Sequence, residues 1–424
     1  MNPDSTRESA RRADAADPLR AFRAKFAHPE SASGDLLYLC GHSLGLQPLA
    51  ARDRVLEELD DWARLAVMGH TAARRAWIDY HEQFNPTLAE LAGAQPSEVV
   101  AMNSLTVNLH MMMASFYRPL PGRTKILIEA GAFSSDRHAV ASQIAWHRLG
   151  LGETLVELAP TASTDLFDES ELEAFLDERG KEIALVLWPG AQFRTGQVFD
   201  LGRIARAAQR AGARIGFDVA HSIGNLPLAL HASGADFAAW CSYKYLNAGP
   251  GAIGGCFVHE RHGGDPNVRR LAGWWGHDPA SRFEMLPGFR PMPGAAGWQV
   301  SNPPILSAAP LLASLELFRE ARLARLREKS LGLSTYLDAL LARVPDVQVV
   351  TPKDAAARGC QMSLRVGGAR ARTQRVFELL SAGGAVCDWR EPDIIRIAPA
   401  PFYNGFEDVF SFVERLGKAL KDGR

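Results

Sequence analysis

The sequence predicts an α/β protein: a large domain on a mostly parallel mixed sheet of the seven-stranded type, covered on both faces by helices, then a small C-terminal α+β domain. Three observations predict it. Short apolar runs without polar alternation recur between longer helical patterns, as expected of strands buried on both faces. The 424 residues exceed what one hydrophobic core accommodates, so two domains are expected. Near Ser307 the pattern changes to a long run of strong helix formers and then to short mixed elements.

Strands are expected at Lys125–Glu129, Ile183–Trp188, Arg214–Phe217, Phe237–Cys241 and Ile253–Val258, with helices between them at Ser135–Leu149, Glu169–Glu178 and Leu201–Ala211. The stretch Ala308–Val344 is too long for one ordinary globular helix. It is expected to include a domain-crossing helix, with a soft break around Gly332. Extended segments at Val347–Thr351 and Met362–Val366, a helix near Arg372–Ser381 and a strand at Ile394–Ala398 complete the small domain. The expected division is a flexible N-terminal arm over residues 1–20, a large domain over 21–307 whose first part is free to pack with the small domain, and the small domain with its crossing helix over 308–424.

Composition narrows the function. Hydrophobic residues make up 47% and charged residues 22%, an ordinary globular balance. The formal net charge of -1 provides no basic field for nucleic acid or acidic lipid, leaving a small-molecule enzyme or a protein-binding domain. Met1–Arg20 has no apolar run and carries acidic residues, unlike a secretory signal or a transit peptide. No stretch approaches the roughly 20 apolar residues that span a bilayer, so no membrane is expected. Cys40, Cys241, Cys256, Cys360 and Cys387 are odd in number, scattered and without a C-x-x-C pair. That spacing fits neither a disulfide framework nor a metal site, and reduced thiols point to the cytoplasm.

The chemistry concentrates at strand ends. Gly216-Phe217-Asp218-Val219-Ala220-His221 places a carboxylate at the C-terminal end of a strand, where open α/β sheets bind ligands. Lys244 follows 26 positions later, in Trp240-Cys241-Ser242-Tyr243-Lys244-Tyr245, again at a strand end and just before the Gly-rich turn Asn247–Gly251. An acid and a lysine at successive strand ends are what pyridoxal-phosphate chemistry requires. The lysine forms an imine with the cofactor aldehyde and is released when a substrate amine takes its place. The carboxylate keeps the pyridine nitrogen protonated, so that the ring draws electrons from the substrate. His221, three residues on, is placed to hold that carboxylate or the ring oxygen.

A phosphate site is also needed. Asn103-Ser104-Leu105-Thr106-Val107-Asn108 reads as a polar turn opening a helix, where free N–H groups attract an anion. Phe133-Ser134-Ser135-Asp136 follows a strand and offers an aromatic face to the pyridine ring. Neither a G-x-G-x-x-G nor a Walker lysine motif occurs, which disfavours nucleotide cofactors.

Six separated segments, in order, carry a further likeness: Tyr38–Pro48, Asn103–His110, Trp240–Gly251, Gly273–His277, Ser301–Ile305 and Ile395–Pro399. With these the chain resembles kynureninase from about Asp35 to Leu420. The resemblance implies a fold-type I pyridoxal-phosphate enzyme that hydrolyses L-kynurenine, and in some members 3-hydroxykynurenine, to an anthranilate and L-alanine. It also implies a homodimer with shared active sites, working in tryptophan breakdown or NAD synthesis. On it, Lys244 forms the Schiff base and later moves protons, Asp218 meets the pyridine nitrogen, and Phe133, Ser134, Ser135, Asp136 and His221 surround the ring. Leu105, Thr106 and the Tyr243 hydroxyl hold the phosphate, with Tyr243 also a candidate proton donor. Trp274 and Asn302 complete the cofactor site from the second subunit. Arg396 grips the substrate α-carboxylate, while Ser43, His70 and Asn302 line the aryl ketone pocket.

Two departures stand out. His42 replaces an asparagine common in the family motif. Pro189 occupies a position where some relatives carry a hydroxyl, and proline offers neither hydroxyl nor N–H. The rival readings are a cysteine desulfurase or an aminotransferase of the same fold, the first needing a reactive thiol such as Cys360 or Cys387. A binding protein that lost its chemistry is a more distant alternative.

Overall fold

The computed structural model describes residues 6–31, 34–265 and 267–423. Seven strands form the main sheet: β1 (Val99–Ala101), β2 (Lys125–Glu129), β3 (Leu155–Leu158), β4 (Ile183–Pro189), β5 (Arg214–Asp218), β6 (Phe237–Trp240) and β7 (Gly255–Val258). Their spatial order is β1-β7-β6-β5-β4-β2-β3. β7 runs antiparallel to both its neighbours and all other pairings are parallel. Six strands therefore point one way and bring their C-terminal ends to one edge.

Alternation along each strand feeds two cores, one per face. Val186, Trp188, Phe217 and Trp240 pack on one side, and Leu185, Leu187, Phe237 and Ala239 on the other. Both sets are buried, which explains why these strands read as unbroken apolar runs. Among the described residues, no helix is long and apolar enough to cross a membrane.

A second, antiparallel sheet of β8 (Val347–Val349), β9 (Met362–Val366), β10 (Asp388–Arg390) and β11 (Ile394–Ile397), in the order β8-β9-β11-β10, builds the small domain. Its core gathers Leu337, Met362, Ile395, Ile397, Phe412 and Leu416. The segment Leu37–Tyr38 pairs in parallel with Ala385–Val386 of this domain.

The helical stretch breaks elsewhere than expected. Two helices, Ile305–Ala321 and Leu323–Leu341, meet at Arg322 with φ 65°, and Gly332 lies inside the second. The cause is tertiary. Leu311, Leu315 and Phe318 keep the first helix on the large domain's core, while Leu333, Leu337 and Leu341 turn the second into the small one. One left-handed residue at the junction supplies that change of direction. The roughly 1 kcal/mol helix penalty of Gly332 is absorbed by packing.

The N-terminal arm is likewise not loose over its described part. Arg7–Ala16 is a helix capped by the Thr6 hydroxyl, with Ala10 buried in the small-domain core. Arg7 pairs with Glu407 and Glu414, and the Asp14 carboxylate accepts from the backbone N–H groups of Phe406 (2.6 Å) and Glu407 (2.9 Å). Those are the unpaired first-turn donors of the helix Phe406–Asp422, so the arm caps its neighbour.

Candidate active site

The C-terminal edge of the main sheet collects several of the expected residues, among them Lys244, His221 and Asp218. Lys244 follows β6, and its Nζ lies 3.0 Å from His221 Nε2 and 5.8 Å from the centre of the Phe133 ring. Burial, then Lys244 and Arg396, push the His221 imidazole well below its ordinary value. A neutral ring accepts the Lys244 proton at Nε2, which leaves Nδ1 as the N–H; that buried atom has no protein partner. The turn after Lys244 is held open by close approach. A Cβ on Gly45 would sit 2.2 Å from Asn247 Oδ1 and 2.4 Å from the Lys244 carbonyl, so only glycine fits there.

Asp218 ends β5 and its Oδ1 accepts from the Ala220 N–H at 2.8 Å. Two more carboxyls crowd it. Burial, then Asp218, raises Asp136 well above the ordinary range, and Asp136 Oδ1 is buried without a partner. Glu129, at the end of β2, is raised to about 8 by burial and then by Asp218, against a weak 3.4 Å bond from Gln192. Three carboxyls beside one lysine make a site that holds extra protons and favours a cationic N–H.

Two helix starts meet nearby. The helix Leu105–Phe116 has no side-chain cap from Ser104, leaving its first N–H groups free. Thr106 Oγ1 lies 2.6 Å from Ser135 Oγ in the first turn of the helix Ser134–Trp146, joining the two segments read as phosphate and ring sites. Ser134 is exposed at that helix start, Leu105 is buried, and Phe133 presents an exposed ring edged by Phe193 at 5.3 Å. Tyr243 is half-buried, and burial, then Cys241, pushes its phenol up, so it stays a proton donor.

Arg396 on β11 is 1% exposed and its fork is full. Nε donates to Asp388 Oδ1 at 2.7 Å, an Nη donates to Asp388 Oδ2, and the other Nη donates to the Phe193 carbonyl at 2.5 Å. Ser43 Oγ lies 3.4 Å from Arg396 and donates to Asp388 at 2.6 Å. Burial pushes Asp388 up, but the Arg396 guanidinium outweighs it and holds the carboxyl well below its usual range. His42, the first departure, sits in this network, 3.3 Å from Asp388 and pushed down to about 4 by burial and Arg396. Pro189, the second, ends β4 directly opposite Asp218.

Trp274, Asn302 and His70 stand apart from this cluster. No hydrogen bond, ion pair or ring contact among the described residues joins them to Lys244 or Arg396. Trp274 is 49% exposed and edges Trp275 at 4.9 Å; Asn302 is exposed; His70 packs on Trp77 at 5.6 Å. The sequence reading missed Glu129, Gln192, Phe193 and Asp388. Glu129 carried a usable signal, since it is the charged last residue of a recognised strand, whereas Asp388 shows its role only once β10 pairs with β11.

The five thiols are all free and buried. Burial raises Cys40 to about 11 and Cys360 and Cys387 to about 12, so none is poised as a thiolate.

The residues fit pyridoxal phosphate. Its pyridinium N–H answers the carboxyl cluster, its phosphate the two helix starts, its aldehyde Lys244, and Phe133 supplies an aromatic wall. Solved structures share the framework. The cystine C–S lyase C-DES matches with TM-score 0.75 at 20% identity, over 90% of this chain and 97% of its own. The cysteine desulfurase CsdA from Escherichia coli gives 0.76 at 20%, over 95% and 98%. Sequence comparison is closer. Residues 326–416 match the kynureninase C-terminal domain. The kynureninase of Xanthomonas campestris pv. campestris (strain B100) is 55% identical over 98% of both chains, and that of Xanthomonas axonopodis pv. citri (strain 306) 54% identical over 98% of this chain and 99% of its own. Identity of that extent along nearly the whole of both chains leaves one conclusion: the chain belongs to the kynureninase family of pyridoxal-phosphate-dependent hydrolases.

Proposed function

We propose that this chain hydrolyses L-kynurenine to anthranilate and L-alanine by breaking the Cβ–Cγ bond, and that it also accepts 3-hydroxy-L-kynurenine. The observation that carries the reading is the pairing of a lysine held by His221 with a buried arginine fork at Arg396 beside Ser43. One end takes the α-amine chemistry and the other the α-carboxylate of an amino acid.

When bound, pyridoxal phosphate draws electrons from the substrate's Cα and makes its C–H acidic. Asp218, backed by Asp136, would hold the proton on the pyridine nitrogen. Leu105 and Thr106, with Ser135, would bind the phosphate through free N–H and hydroxyl groups, and Phe133 would wall the ring. Lys244 Nζ takes the Cα proton, oriented by His221. Arg396 and Ser43 fix the carboxylate, the guanidinium exchanging its bond to the Phe193 carbonyl for the substrate while Asp388 holds its other edge. Water adds to the side-chain ketone, the Cβ–Cγ bond breaks, and the carbon left behind takes a proton; Tyr243, kept protonated, is the donor. Trp274 and Asn302 reach the site of a second subunit in a cytoplasmic homodimer, and His70 with Asn302 lines the aryl pocket. The exposure of Trp274 and Asn302 on one chain supports that arrangement. The reaction serves tryptophan breakdown or NAD synthesis.

Desulfurase chemistry, that of the Escherichia coli neighbour CsdA, is disfavoured by the absence of a poised thiol among these buried cysteines. Purified protein incubated with L-kynurenine should develop anthranilate fluorescence, and incubated with cysteine should release no sulfide. Sulfide without anthranilate would reverse the assignment.

A further inference from the structure

We propose that Glu98, His231 and His259 form a divalent-cation site of the zinc class at the sheet edge opposite Lys244. Glu98 stands just before β1, His231 lies in the short helix that precedes β6, and His259 follows β7. Because β7 is antiparallel and sits between β1 and β6, its C-terminal end meets their starts. The topology thus brings three residues from distant parts of the chain to one point, remote from the chemistry described above.

The Glu98 side chain is fully buried and is fixed before any ligand arrives. Its Oε2 accepts from the Gln95 N–H at 2.9 Å and its Oε1 from the Glu260 N–H at 2.8 Å. His231 Nδ1 lies 2.9 Å from Oε1 and 3.0 Å from Oε2, and His259 Nδ1 lies 3.6 Å from Oε1. All three ligand atoms fall within 4.8 Å of one another. Zinc bonds of about 2.0–2.1 Å in a tetrahedron require ligand atoms about 3.3–3.4 Å apart. The observed 2.9 and 3.6 Å straddle that value, so each imidazole stands within about half an ångström of the spacing from the carboxylate that an ion requires.

The donor set is two imidazoles and a carboxylate, which leaves a fourth position for water. The two imidazole rings lie 5.0 Å apart at 26°, each turning Nδ1 to the same carboxylate. His259 Nδ1 accepts a long 3.3 Å bond from the Arg261 N–H, so its lone pair is free of a proton and the ion takes the place of that weak contact. The nearby Arg261 charge is answered by Asp236 at 2.8 Å. His231 is 35% exposed at its side chain, giving an ion a way in, while Glu98 forms the floor. Among the described residues one other group, Cys40, His42 and Asp388, has comparable spacing, but its carboxylate is already taken by Arg396, Arg390 and Ser43. A cation at Glu98 would staple the starts of β1 and β6 to the end of β7.

The test uses tag-free, cofactor-loaded protein stripped with a chelator and titrated with Zn²⁺, with Co²⁺ as a spectroscopic probe. One Zn²⁺ per chain should bind with micromolar or tighter affinity, and Co²⁺ should give the visible d–d bands of a tetrahedral site. His231→Gln and His259→Asn should each weaken binding at least tenfold, and the double variant should lose both the d–d bands and the zinc-induced rise in Tm. Both histidines are partly exposed, so these variants should fold where Glu98→Gln need not. Failure of the wild type to bind Zn²⁺ below about 100 μM, or equal binding by the double variant, would overturn the proposal.

Discussion

Replacing Glu129 by glutamine should stabilise the cofactor-free protein, and increasingly so as the pH rises. The carboxyl is buried and its value is raised from 4.5 to about 8. Between those values the folded chain keeps a proton that the unfolded chain has released, so stability falls with rising pH. The slope is about 1.4 kcal/mol per pH unit. The penalty therefore amounts to about 1 kcal/mol at pH 5, about 3 kcal/mol at pH 7 and about 4 kcal/mol at pH 8. Glutamine copies the shape of the protonated acid, keeps an acceptor for Gln192 Nε2, and carries no charge to desolvate. Urea unfolding of both proteins without cofactor, from pH 5 to pH 8, reads the difference directly. The two curves should diverge upward with pH. A difference independent of pH, or one favouring the wild type at pH 8, would refute the account of the carboxyl cluster.

Lys244→Ala should abolish multiple turnover and remove the visible imine band, checked by absorption and anthranilate release; normal turnover would defeat the central assignment. Arg396→Ala should raise KM roughly 10- to 1000-fold with cofactor binding retained, while Asp388→Asn, which leaves a buried guanidinium unpaired, should destabilise the fold by about 3 kcal/mol in urea titrations. Mixing Lys244→Ala protomers with Asn302→Ala protomers should recover activity that neither homodimer shows, by pairing one intact lysine with one intact partner residue. No recovery in the mixed dimers would put Asn302 outside a shared site.

The placement of Lys244 and Asp218 at strand ends was legible because burial on both faces leaves an unmistakable apolar run, and a lysine or carboxylate closing such a run has few structural reasons to be there. Lys125–Glu129 was read to the residue, and β4 to β7 within a residue or two. β1 and β3 escaped because one has three residues and the other is a partly exposed edge strand of four, too short or too mixed to show a period. The Arg322 break escaped because it answers to which core each helix joins, which no local pattern encodes. Asp388 escaped for the same reason: an aspartate before a tryptophan is unremarkable until the register Asp388↔Arg396 places it against a buried guanidinium. Trp274, Asn302 and His70 were named through family likeness alone, and among the described residues no hydrogen bond, ion pair or ring contact joins them to Lys244 or Arg396.

The segment from Leu37 to Gly45 links the two halves of the site. At one end it is paired to Ala385–Val386 and, through Cys40, to Ala398. At the other, the Gly45 N–H donates to the Tyr243 carbonyl at 2.8 Å, one residue from Lys244. It acts as a spacing gauge. The reach from the group that anchors the substrate's carboxylate to the group that moves its proton is set by a handful of residues of fixed length, so a single residue inserted between Gly41 and Gly45 should detune the reaction even with every site side chain intact.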